Sequence, residues 1–290
     1  MEAIAPERSS SNLSKTPRPA GLPDFDDPPV AEVLLDVALD PLPLVRNAHL
    51  GLFWAEHLRD EFPIISDQTP LLLNEESFET NLVEQSPVQI RLEQGVPVVR
   101  QWFSSADDTR LIQIQQDRFI QNWRRRSPDA TEYPRYETLR ESFEQHFVTY
   151  SDFLASNDLG APTIRQAEVT YTNQLQPDEV WQKPGDLDRV LRSWRPDFGD
   201  EGLLTDPVED VRLGWRHTIA DEVGPFARLY VSVFPVVTGG LALQLTVRGK
   251  PRDGSLKTTM AFFDMARGRI VKGFTAITTE AMHRRWRRKV

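Results

Sequence analysis

The densest set of side chains able to recognise a ligand lies between residues 113 and 136. Gln113, Gln115, Arg118, Gln121, Asn122, Trp123 and Arg124 occupy one β-rich run, and Tyr133, Arg135 and Tyr136 follow it closely. Amides and guanidinium groups present fixed donors and acceptors, and aromatic rings add stacking surfaces, so a sheet carrying them could hold a peptide, a base or a small polar molecule. The alternative is a solvated sheet face, because any half-exposed antiparallel strand shows the same period-two polarity. A second set sits in EVTYTN, where Glu168, Thr170 and Thr172 share one strand face and Tyr171 and Asn173 the other. If Glu168 is buried beside Arg118, the two form either an ion pair joining the halves of the chain or an acid-base group whose pKa follows its neighbours. A structural pair is the simpler expectation, since an unpartnered buried carboxylate is costly. The candidate ligand- or partner-binding residues are therefore Arg118, Asn122, Trp123, Arg124, Tyr133, Arg135, Glu168, Tyr171 and Asn173.

The third feature is the basic end, Arg284, Arg285, Arg287, Arg288 and Lys289 around Trp286. It suits nucleic acid, through stacking and phosphate contacts, or an acidic protein. It suits equally a helix end whose cations complement the dipole while Trp286 packs on Met282.

Other chemistries are closed or weak. No cysteine is present, which removes disulfides, thiolate nucleophiles and thiolate metal sites. The net charge of -9 argues against a surface that neutralises phosphates everywhere. GKPRDGSLKT resembles a phosphate loop only loosely, because Ser255 and Leu256 separate Gly254 from Lys257; a strand-to-helix turn is expected there. His49, His57, His146, His217 and His283 form no metal-binding pair with a catalytic carboxylate between them, and there is no nucleophile elbow or dinucleotide fingerprint. No catalytic residue, cofactor or metal is assigned.

The elements that position these residues read as one pattern met twice, β-α-β-β-β-α. The first unit, 23–160, opens with a strand through Val33, Leu35 and Val37. A helix follows in 44–62 with a stripe of Leu44, Ala48, Leu52 and Ala55, and Phe53, Trp54 and Leu58 alongside. Strands are expected in VQIRLE, in VPVVRQWFSS and in a long run broken by a bulge or tight hairpin near Gln116-Asp117-Arg118. Tyr136, Leu139, Phe143, Phe147, Tyr150 and Leu154 then mark an amphipathic helix. The second unit, 161–277, has a strand over 164–175, a short helix in DLDRVLRSW, three strands and a long helix marked by Met260, Phe263, Ile270, Phe274 and Ile277. Residues 278–290 form a short basic helix capped by Thr278 or Thr279. Residues 1–22, rich in Ser, Pro and charge, read as a disordered leader with no secretory signal. The fold class expected is α+β, a tandem duplication with mainly antiparallel sheets and long helices packed on one face.

Five segments, DFDDPPVAEVLLDV, HLGLFWAEHLRDEFP, IQIQQDRFIQNWRRR with YPRY, EVTYTN and GFTAITTEAMHRRW, resemble in order and spacing a sporadically distributed family of uncharacterised bacterial proteins. The resemblance implies no reaction. It implies by association a place in a toxin-antitoxin or phage-defence system, with a protein partner encoded by a neighbouring gene.

Three functions follow as expectations. The first is a cytoplasmic interaction protein using its sheet as a platform, with no membrane contact. The second is a small-ligand receptor or enzyme with a cleft between the units, built from Arg118, Trp123, Glu168 and Tyr171. The third is nucleic-acid binding through the sheet or the basic end.

Overall fold

A computed structural model describes residues 18–72, 75–78, 99–126, 132–195, 208–237 and 239–289. The strand expected in VQIRLE and residues 1–17 of the expected leader lie outside the described residues. Nine strands form one antiparallel sheet in the order β2-β3-β4-β5-β1-β6-β9-β8-β7. They are β1 (Val30–Leu39), β2 (Ile64–Gln68), β3 (Arg100–Ser104), β4 (Arg110–Gln115), β5 (Arg118–Arg124), β6 (Ile164–Leu175), β7 (Leu213–Ala220), β8 (Pro225–Pro235) and β9 (Leu241–Gly249). The fold is mixed α+β, and one continuous core draws residues from both halves of the chain.

Alternation assigns the two faces. Val33, Leu35 and Val37 of β1 pair in register with Trp123, Gln121 and Phe119 of β5 on one side and with Tyr171, Val169 and Ala167 of β6 on the other. Because successive side chains point to opposite faces, this row faces the helices and its even-numbered neighbours on β1 face away from them. The helices are α2 (Tyr136–Ser156) and α3 (Leu256–Ile277). Tyr136, Leu139, Phe143, Phe147, Tyr150 and Leu154 all lie buried under α2. Phe143 is fully buried, edge-on to Phe119 of β5 at 5.5 Å and to Phe263 of α3 at 5.1 Å, so it joins sheet and both helices. Met260, Phe263, Ile270 and Phe274 are buried on α3, whose N-cap Ser255 accepts a hydrogen bond from Thr258 N at 3.3 Å. GKPRDGSLKT is the turn from β9 to that cap.

Two sequence expectations fail locally. The helix in 44–62 is an α-turn, α1 (Asn47–Phe53), running into a π segment at Trp54–Leu58. Arg59 N donates to Trp54 O at 2.9 Å across five residues; Leu50, Phe53 and Leu58 are buried, whereas Leu44, which precedes the helix, and Leu52 are exposed. The helix expected in DLDRVLRSW is a 3₁₀ turn at Pro184–Arg189. Its continuation is drawn away because Arg192 N donates to Ile277 O at 2.9 Å, and Leu191 bridges Thr278. The break at Gln116-Asp117 is a two-residue hairpin between β4 and β5.

The C-terminal turn α4 (Glu280–Arg285) is capped by Thr279. Trp286 is buried edge-on to Phe25 at 6.2 Å and close to Phe274 at 5.0 Å, so its packing partners come from the DFDD segment and α3. The cations beside it meet acids: Lys289 pairs with Asp26 at 2.5 Å and Arg285 with Asp178 at 3.1 Å. No described helix is long and apolar enough to cross a membrane.

Candidate functional site

The sheet face turned away from α2 and α3 carries charge at its centre. Asp36 of β1 and Glu168 of β6 are direct cross-strand partners on that face. The next partner in the same row is Arg248 of β9, and beyond it Arg228 of β8. Each strand contributes a polar residue between apolar neighbours, as Asp36 stands between Leu35 and Val37.

The groups are linked. Arg248 Nε donates to Glu168 Oε2 at 2.5 Å, and Thr170 Oγ1 donates to Glu168 Oε1 at 3.0 Å while meeting Thr246 Oγ1 at 2.7 Å. Glu76 crosses from the segment after β2: its N–H donates to Gln166 Oε1 at 2.8 Å, and its carboxylate accepts from Tyr230 at 2.5 Å and from Arg228. Leu71 exchanges hydrogen bonds with Gln115 on the same face, its N–H donating at 2.9 Å and its carbonyl accepting at 3.0 Å. Leu71 thus sits on β4 and Glu76 on β8, both on this face of the sheet. On the other flank a relay crosses four strands, Arg100 donating to Gln113 at 2.9 Å, Gln113 to Asn122 at 2.7 Å and Asn122 to Glu32 at 2.6 Å.

Asp36 lies between these networks and belongs to neither. It is 6% exposed, its Oδ2 lies 3.6 Å from Arg118, and its buried Oδ1 has no hydrogen-bond partner among the described residues. Burial pushes the carboxyl up to about 7; Arg118 opposes the shift and the Glu168 charge adds to it. A carboxyl held near neutral can donate or accept a proton. The described residues contain no cluster of three metal-ligating side chains.

The sequence-derived residues divide between the two faces. Arg118, Asn122, Arg124 and Glu168 are on the open face, Arg124 donating to Asp108 O at 3.1 Å and lying over Trp102 at 5.5 Å. Trp123, Tyr171 and Asn173 face the helices, with Trp123 against Tyr133 at 5.3 Å and Asn173 Nδ2 donating to Leu243 O at 3.1 Å. The expected Arg118–Glu168 pair does not form. β1 runs between their strands, which places them two strand spacings, about 10 Å, apart; Arg118 takes Asp36 and Glu168 takes Arg248. A single cleft built from Arg118, Trp123, Glu168 and Tyr171 is likewise ruled out, because hydrogen-bonded β1 and β6 separate the first and third from the second and fourth. Tyr133, Arg135, Tyr171 and Asn173 instead meet at a cavity of about 60 Å³ on the helix side. Burial raises both tyrosines there, Tyr171 to about 12 and Tyr133 well above its usual value.

Asp36, Glu76, Thr246 and Arg248 escaped the sequence reading. Their one signal is a lone polar residue on an otherwise apolar alternating strand, visible in LLDVAL and LTVRG; Glu76 has no such signal. Comparison with protein-family models, with curated proteins and with solved structures returned no match.

Proposed function

We propose that this protein is a binding protein whose recognition surface is the open face of the sheet, centred on the seam between β1 and β6. The observation that carries the reading is Asp36, a buried carboxyl on the face turned away from the helices whose Oδ1 has no hydrogen-bond partner among the described residues. In this reading the chain is a tandem duplication of a β-α-β-β-β-α unit. Support comes from the strand order, β3-β4-β5-β1 with β2 added at its edge on one side of the seam and β6-β9-β8-β7 on the other, each half closing with a helix of more than twenty residues. The first partner to try is the product of an adjacent gene, in keeping with a toxin-antitoxin or phage-defence pair.

Thr172→Lys tests it. Thr172 is half-buried on the open face between Glu32 and Gln244, so a lysine there projects over the seam and leaves the core untouched. The dissociation constant for the partner is expected to rise at least tenfold, while Val148→Lys on the outer surface of α2 leaves it unchanged. Equal affinities in both variants would remove the open face as the surface.

The near-neutral carboxyl of Asp36 also favours a second reading, a small-ligand receptor or proton-transfer enzyme at the same seam. Nucleic-acid binding has less support. Arg285 and Lys289 are engaged by acids, and the open-face Arg118, Arg228 and Arg248 each face a carboxylate.

A further inference from the structure

The helix-side cavity is a different place from the open face and has its own chemistry. It is framed by the DFDDPP segment, the residues before α2 and the middle of α3. Its floor is apolar, with Val30, Ile270 and Phe274, and its polar lining is dominated by donors. Arg18, Arg135 and Arg267 reach it against one lining carboxylate, Asp24, which already receives Arg135 at 3.2 Å and Arg18 at 3.4 Å. Arg267 is 3% exposed and, among the described residues, spends one N–H on Glu137 at 2.8 Å.

Tyr133 and Tyr171 add a further donor. Their hydroxyls are 3.1 Å apart, so one donates to the other. Two protons share one such bond, and the accepting hydroxyl keeps its own proton without an acceptor among the described residues. Buried groups of this kind are ordinarily satisfied.

Arg135 is held at φ 71, ψ 155, a region that residues other than glycine rarely enter. That backbone sets its guanidinium 5.8 Å from the Tyr133 ring centroid and against Asp24.

We infer that this cavity binds a small monocarboxylate with a short apolar stem, the carboxylate meeting the spare tyrosine hydroxyl and the arginines and the stem lying on Val30, Ile270 and Phe274. A volume of about 60 Å³ holds a few waters or one group of that size.

The test is calorimetric titration of the full chain with acetate, propionate and butyrate at constant ionic strength, with propionamide and phosphate as controls. Saturable butyrate binding, tighter than acetate and absent for propionamide, is expected. The double variant Tyr133→Phe/Tyr171→Phe, which removes both hydroxyls and keeps the rings, is expected to weaken it about tenfold, because either hydroxyl alone retains a free proton. Arg135→Gly is expected to weaken binding and raise the melting temperature, since glycine relieves the backbone while the guanidinium is lost; a merely structural arginine would lower both or leave binding unchanged. Failure of every carboxylate to saturate, propionamide or phosphate matching butyrate, or full affinity in both variants would each overturn the assignment.

Discussion

Asp36 and Glu168 face each other directly across antiparallel β1 and β6, with Arg118 against the first carboxyl and Arg248 against the second. Burial disfavours the charged form of Asp36 and the neighbouring Glu168 charge adds to that, while Arg118 opposes it.

A pH dependence follows. The folded carboxyl of Asp36 titrates near 7 against 3.8 in its ordinary state. Between those values the folded protein holds a proton that the unfolded chain has lost, so this contribution to stability is full below about pH 4 and is lost as the pH rises through 7. Asp36→Asn cannot make that transition. Urea unfolding at pH 4 and pH 8 should show the stability of the asparagine variant relative to wild type rising by up to about 4 kcal/mol. A difference constant with pH would place the Asp36 carboxyl in the ordinary range.

Glu76 ties residues 75 to 78 to β8 and β6. Glu76→Gln removes a buried charge that faces Arg228, Tyr230 and, at 3.8 Å, Arg248. It is expected to cost about 2 kcal/mol in urea and to speed amide exchange at residues 75 to 78. Unchanged exchange would mean that residues 75 to 78 are held without the Glu76 carboxylate.

Phe143→Ala removes the ring that joins β5, α2 and α3. The cost should be about 3–5 kcal/mol, the range for a fully buried aromatic whose cavity cannot collapse between two helices and a sheet. A loss below 1 kcal/mol in thermal unfolding would show that the helices pack independently of this contact.

At the basic end the aromatic carries the structure and the outermost charge does not. Trp286→Ala should cost about 3 kcal/mol through its contacts with Phe25 and Phe274, whereas exposed Arg284→Ala should stay within about 0.5 kcal/mol. Comparable losses would point to a structural role for the arginine as well.

These results bear on what a sequence alone can tell. β6 was legible to its end residues, and so was the buried stripe of α2, because alternation and 3.6-residue spacing are direct consequences of burial on one side. β2 was not, since four of its five residues are exposed at the sheet edge and carry no burial pattern. The stripe expected through Leu44 and Leu52 does not form, because Leu44 precedes the helix and the buried side of α1 runs through Leu50 and Phe53 instead. For the site, the polar strand residues were visible but their partners were not. Which arginine meets which acid depends on strand order, and β1 entering between β5 and β6 converts one imagined pair into two real ones.

The central claim is that the open face at the β1–β6 seam is where this protein meets its partner. Methyl-labelled NMR of the full chain, titrated with the purified product of an adjacent gene, tests it most directly. Leu34 and Ile120 lie on that face in the rows of Thr170 and Asp36, while Val148 and Val223 are exposed elsewhere. The account predicts saturable shifts at Leu34 and Ile120 with Val148 and Val223 unmoved; shifts confined to Val148 or Val223 would contradict it.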